Sequence, residues 1–304
     1  MKRILACVSA VAMLITTLCS CSSEKEKSSE ILLATSFYPV YIFTLNLVNG
    51  INEISVECMA EQNTGCLHDY QILSKDARLI SDADALIING AGMEEFLEDV
   101  YSSEEELKVI DSSVGVELLE SCEEHHHEEE NHHHHSVNSH IWMSVKNAIK
   151  QTENIANGLI ALYPQFGAQI EKNKTEYVNR LTKLDSLLAE KSKALKGENI
   201  ITFHEAYDYL ARDYSFNVIA KVESHEGGEP SAKRLAELTA LIKSKNVSLL
   251  FVEQSYKGSA ATILGNETGV KICTLNPVTE GEKELAAYET IMLENMGIVL
   301  EAVS

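Results

Sequence analysis

The chain has 304 residues, with 25 lysines and arginines against 46 aspartates and glutamates; the formal net charge of −21 disfavours nucleic acid as a partner and favours cations. Beyond the first thirty residues no second long apolar run occurs, so the remaining body of about 270 residues reads as soluble and large enough for two medium domains with their own cores.

At the N-terminus, Lys2 and Arg3 precede an apolar stretch from Ile4 to Leu18, too short to span a bilayer comfortably but suited to a secretory signal. Leu18-Cys19-Ser20-Cys21 resembles the bacterial lipoprotein box, which makes residues 1–20 a signal peptide and Cys21 the lipidated first residue of the mature chain. Residues 21–30 are polar and lack apolar periodicity, the composition of a flexible tether. Two acyl chains on Cys21 suffice for stable anchoring, so the protein is expected outside the bacterial cell membrane, held to it by lipid.

Strand-like runs follow at 31–37, 54–59, 85–89 and 107–111, separated by helical spacing, and a second set falls at 199–203, 216–222, 247–253 and 270–275. The alternation predicts an α/β fold of two four-stranded parallel β/α lobes, over 31–165 and 197–304. Between them Tyr177, Leu181, Leu184 and Leu188 recur at helical spacing in a stretch, 168–195, free of proline and glycine. This predicts a long rigid helix joining the lobes within 166–196, preceded by another helix over 142–162 that ends near Pro164. Glu229-Pro230-Ser231 marks the start of a helix over 232–245, with Ser231 as its cap. Cys58 and Cys66 are close enough in sequence for an extracytoplasmic disulfide, Cys122 adjoins a histidine run, and Cys273 reads as core.

That run, CEEHHHEEENHHHH over 122–135, holds seven of the eleven histidines: His125, His126, His127, His132, His133, His134 and His135. Neutral imidazoles offer lone pairs to zinc, copper or nickel, and the flanking acids attract a dication. The competing interpretation is a solvated loop with incidental metal affinity. Of the other histidines, His68 lies in a loop after the second strand, His140 stands at the entry to a helix, and His204 follows a strand at the carboxyl end, where ligands of open α/β sheets gather. His225 sits in a glycine-rich loop and is given no metal role.

Gly65 with His68-Asp69-Tyr70-Gln71, then Ala83-Asp84, Asn89-Gly90 and Glu95-Phe96-Leu97, then His140-Ile141-Trp142 and Phe203-His204-Glu205-Ala206-Tyr207, occur in an order that resembles the metal-binding lipoproteins of zinc and manganese ABC importers. Glu229-Pro230-Ser231, Phe251-Val252-Glu253-Gln254 and Leu275-Asn276-Pro277-Val278 extend the resemblance through nearly the whole mature chain. It implies two lobes joined by one rigid helix with metal in the inter-lobe cleft, and ligation by His68, His140 and His204. Many relatives carry an Asp where this chain has Asn276, and Glu280 is the candidate for fourth ligand, with water as an alternative. A third imidazole favours Zn2+ over Mn2+.

The resemblance thus implies a monomeric extracytoplasmic binding component that delivers zinc to an ABC permease with its cytoplasmic ATPase and is not an enzyme. The histidine run becomes an auxiliary collector or sensor. Two other functions compete. A secreted zinc hydrolase also uses three imidazoles and water, but no His-Glu-x-x-His occurs. An extracellular metal buffer or adhesin requires the same binding site without a permease.

Overall fold

The structure is a computed structural model describing residues 30–60, 70–98, 100, 107–121, 137–222 and 229–304. Cys21, Cys66, His68, Cys122, the run 122–135 and His225 lie outside the described residues.

The first sheet comprises β1 (Ile31–Thr35), β2 (Ile54–Cys58), β3 (Ala85–Ile88) and β4 (Lys108–Asp111), all parallel in the order β2-β1-β3-β4. The second repeats the topology with β5 (Asn199–Thr202), β6 (Asn217–Lys221), β7 (Leu249–Glu253) and β8 (Lys271–Leu275) in the order β6-β5-β7-β8. In both sheets the central strands carry continuous apolar runs because helices cover both faces. Thus β3 is buried throughout, whereas the edge strands β4 and β8 expose Lys108 and Lys271.

Helices follow where the spacing turns helical: α1 (Tyr38–Leu47), α2 (Ser74–Asp82), α3 (Val145–Leu162), α4 (Gly167–Ser192), α5 (Asp208–Tyr214), α6 (Ala232–Lys245), α7 (Ala260–Thr268) and α8 (Ala287–Val303). The predicted helix over 142–162 starts later, at Val145, because Ile141–Met143 forms a 3-10 turn and Ser144 Oγ caps α3 by accepting from Asn147 N. Ser231 caps α6 in the same way through Arg234 N. The long helix α4 buries Ile170, Asn173, Tyr177, Leu181, Leu184, Leu188 and Ser192 along one stripe. At 26 residues it is roughly 39 Å long.

Alternation along the strands divides the apolar side chains between faces. Leu33 and Ile87 of the first sheet, and Ile200, Leu249 and Phe251 of the second, join one continuous cluster with Trp142, Tyr177, Leu184 and Tyr288. The opposite face of the second sheet places Ile201, Leu250 and Val252 against Leu238 and Ile242 of α6 and Leu264 of α7. The largest cluster is thus shared between the lobes, beside the separate cluster on the other face of the second sheet, and residues 31–304 form a single compact unit. Its cause is the path of the chain: α8, from the end of the second lobe, packs back onto α4 and α1. Hydrogen bonds cross at the same place, with Trp142 Nε1 donating to Pro277 O (2.7 Å), Tyr288 Oη to Trp142 O (2.8 Å) and Tyr38 Oη to Glu282 O (2.6 Å).

Cys273 is fully buried, as its apolar surroundings predict. Cys58 Sγ donates to Ala60 O, and a disulfide to Cys66 is outside what the described residues can show. Among the described residues no helix is long and apolar enough to cross a membrane.

Candidate metal centre

The carboxyl ends of β1, β3 and β5 carry the polar side chains that the shared core does not absorb. β5 runs out through Phe203 into His204, which keeps extended backbone and precedes the 3-10 turn Glu205–Tyr207. His140 opens the turn Ile141–Met143, whose Trp142 is anchored in the core. The two histidines, from opposite lobes, meet with Nε2 atoms 3.0 Å apart and rings nearly perpendicular. Their exposures are 2% and 9%, so the meeting point is screened from water.

His140 Nδ1 lies 3.0 Å from Asn138 Oδ1, an acceptor, so the proton of the neutral ring sits on Nδ1 and Nε2 presents a lone pair. The contact between the rings then needs the proton of His204 on Nε2. A dication can take the place of that shared proton. Two imidazole nitrogens on one tetrahedral zinc stand roughly 3.3 Å apart, so the rings need separate only slightly to bind one.

Among the described residues no group of three or more His, Cys, Asp or Glu is arranged to hold a metal. The structure therefore brings together His140 and His204, while His68 and the run lie outside the described residues. Glu280 is half-buried at the end of a turn built by Asn276, whose Oδ1 accepts from Val278 N (2.8 Å) and whose Nδ2 donates to Glu280 O (2.9 Å). Asn276 is thus engaged in loop formation, which explains a neutral amide at this position. Val278 takes a positive φ of 60° there, and the neighbouring Pro277 O is the acceptor for Trp142. Glu253 ends β7 and accepts from Ser255 Oγ, a local structural bond.

Sequence patterns did not single out two further features. Glu120 and Val137, which flank the undescribed residues 122–136, pair in an antiparallel bridge. Beside the bridge, Ser121 Oγ donates to Glu205 Oε2 (2.8 Å), directly after His204. Burial raises the Glu205 carboxyl above the ordinary carboxylate range, opposed by the Ser121 hydrogen bond and the Lys221 cation.

The second feature is Glu94, buried at the ends of β1 and β3. Its carboxylate accepts from Ser36 Oγ (2.6 Å), Asn89 N (2.7 Å) and Gly90 N (2.9 Å). Asn89 Nδ2 in turn donates to the carbonyl of Ser139, next to His140. Gly90 is required here: its φ is +78°, and a Cβ would lie 2.0 Å from Asp111 Oδ1. The signal for this network was the Asn89-Gly90 pair, which marks a turn but not its partner.

Burial pushes the Glu94 carboxyl up to about 7, against its three donors and with the Asp111 charge adding to the rise. Because the folded value is raised, the associated stability is fully present below the unfolded value of 4.5 and is lost as pH rises through about 7. The stability of the metal-free protein relative to Glu94→Gln should therefore fall by about 3 kcal/mol between pH 4.5 and pH 8, the free-energy equivalent of that shift. Denaturant unfolding of both proteins at the two pH values measures it; parallel changes would show that Glu94 does not titrate in this window.

The profile of the family described as "Zinc-uptake complex component A periplasmic" matches residues 33–302. The chain belongs to this family. Within the zinc-uptake component A family, it is 32% identical over 300 residues to the zinc-binding lipoprotein AdcA of Streptococcus pneumoniae, covering 94% of this chain and 59% of that protein. It is 30% identical over 302 residues to the high-affinity zinc uptake system protein ZnuA of Bacillus subtilis, covering 95% and 94% of the two chains. The chain thus spans 59% of the length of the pneumococcal relative but nearly all of the Bacillus one. The crystal structure of Zn(II)-bound AdcA from Streptococcus pneumoniae superposes with a TM-score of 0.74 at 30% identity, over 90% of this chain and 57% of that one. FpvC from Pseudomonas aeruginosa in complex with Mn2+ superposes with a TM-score of 0.79 at 26% identity, over 90% and 98%. The two-lobed α/β architecture with its long helix is therefore that of solute-binding proteins of this family.

Proposed function

We propose that this chain is the extracytoplasmic solute-binding component of a zinc ABC importer, which captures Zn2+ between its lobes and passes it to a membrane permease driven by a cytoplasmic ATPase. The observation that carries the proposal is the pair of buried Nε2 atoms from opposite lobes, 3.0 Å apart, in a chain of the zinc-uptake family. His140 and His204 are the ligands in the described residues, with His68 as third and Glu280 or water as fourth. Borderline-soft zinc suits imidazole better than manganese does. Capture followed by delivery, without hydrolysis, is supported by the family match and by a sequence that has no His-Glu-x-x-His.

Because the lobes share one core, loading requires small movements of the two histidine-bearing turns and no wide hinge closure. Lipidation at Cys21 would hold a monomer at the outer face of the membrane, with residues 21–30 as tether. The run 122–135 would collect zinc and raise its local concentration; the residues that flank it, Glu120 and Val137, pair with each other, and Ser121 bonds to Glu205, next to His204.

Calorimetric titration of metal-free protein with zinc and with manganese tests the proposal. One tight site that prefers zinc is expected, and it should survive deletion of residues 123–135, whereas zinc uptake at limiting supply should fall. Loss of the tight site on that deletion would transfer the function to the run. Absence of any tight zinc site would sink the proposal.

A further inference from the structure

Asn138 is fully buried, and each half of its side-chain amide serves a different lobe. Oδ1 accepts from both His140 N and His140 Nδ1, each at 3.0 Å. Nδ2 donates to Glu205 O at 2.9 Å and to Asp208 Oδ2 at 3.1 Å, on the turn and helix that follow His204. The orientation of the amide is chemically determined. Rotating it by half a turn would set Nδ2 against the His140 backbone N–H and Oδ1 against a carbonyl and a carboxylate, losing three hydrogen bonds whichever tautomer His140 adopts. The backbone is held as well, since Tyr209 Oη, also from the second lobe, donates to Asn138 O at 2.7 Å.

We propose that Asn138 is a positioning residue of the metal centre, a cross-brace whose Oδ1 selects the Nδ1–H tautomer of His140 while its Nδ2 seats the His204 turn. The inference rests on assigning His140 and His204 as metal ligands. Three consequences follow from the geometry. The Nε2 lone pair of His140 is presented to the ion without a tautomer change. The ring is fixed in rotation, because its backbone N–H and its Nδ1 are bound by the same oxygen. The separation of the two ligands is set by one rigid planar group connecting their segments. Outer partners of ligand histidines characteristically supply this orientation, and their loss costs about 10–100-fold in metal affinity.

The test combines zinc titration, thermal unfolding and 15N NMR of the His140 ring in metal-free protein, for wild type, Asn138→Ala, Asn138→Asp and His140→Ala. In wild type the ring should show protonated Nδ1 and unprotonated Nε2. Asn138→Ala should mix the tautomers and weaken zinc binding by about 10–100-fold in a folded protein. Asn138→Asp keeps the acceptor and lacks the two donors, so it should restore the Nδ1–H tautomer while binding zinc less tightly than wild type. This partial rescue separates positioning from general packing, and the isosteric variant serves if the alanine variant does not fold. A folded Asn138→Ala with wild-type tautomer and zinc affinity would overturn the inference, as would mixed tautomers in Asn138→Asp. His140→Ala identifies which assignment has failed: unchanged zinc binding there removes the ligand assignment, whereas loss there beside a silent Asn138→Ala removes only the brace.

Discussion

Replacing His204 with alanine should weaken zinc binding on the order of 100-fold, with little change in the unfolding temperature of the metal-free protein. Zinc sites with four protein ligands have apparent binding free energies of about 10–16 kcal/mol, so one ligand is worth about 3 kcal/mol, or about two factors of ten in Kd. The substitution removes the ring that faces His140 Nε2 and, on the proposed ligation, would leave the ion without its second-lobe imidazole. Folding should tolerate it because the contacts that hold the turn in place come from the neighbouring Ala206 and Tyr207, both fully buried, and from the Glu205 carbonyl. Competition with a chromophoric zinc chelator gives the affinity. A Kd within a few-fold of wild type would discard His204 as a ligand, and a large fall in unfolding temperature would mean that its role is in packing.

Trp142→Ala should cost the metal-free protein about 4 kcal/mol and lower a single unfolding transition by about 10 °C. The indole is fully buried where the lobes meet, and its Nε1 donates to Pro277 O, so truncation opens a cavity and orphans an acceptor together. One transition is expected because side chains of both sheets share the cluster that contains Trp142. Calorimetry that resolved two transitions, with only one displaced by the substitution, would contradict the single shared core. Zinc affinity should fall as well, since the indole packs beside the His140 ring, with centroids 5.2 Å apart.

Much of the architecture was legible because it depends on local periodicity. All eight strands lie within the apolar runs that predicted them, shortened mainly at the ends where sheet hydrogen bonding stops. The stripe of Tyr177, Leu181, Leu184 and Leu188 predicted α4 because a helix that buries one face must repeat at that spacing. Positions of His140 and His204 were legible as candidates because each adjoins the end of an ordered element. Their meeting was not, since 64 residues separate them and only the packing of one lobe on the other closes the gap. Asn138 escaped notice for a similar reason: an Asn two residues before a His is common, and its value comes from Glu205 and Asp208 across the cleft.

By itself the sequence determined two repeated parallel β/α units, a long connecting helix, an acidic composition and a family resemblance rich in histidine. Those features follow from hydrophobic period and residue chemistry, which act within a few residues of the chain. Only the tertiary structure decided that the lobes share one core through the return of α8, that Asn276 builds a turn, and that two imidazoles approach edge to edge around one amide. Each of these depends on groups far apart in sequence competing for the same buried space and the same hydrogen-bond partners, and that competition is settled only when the lobes pack.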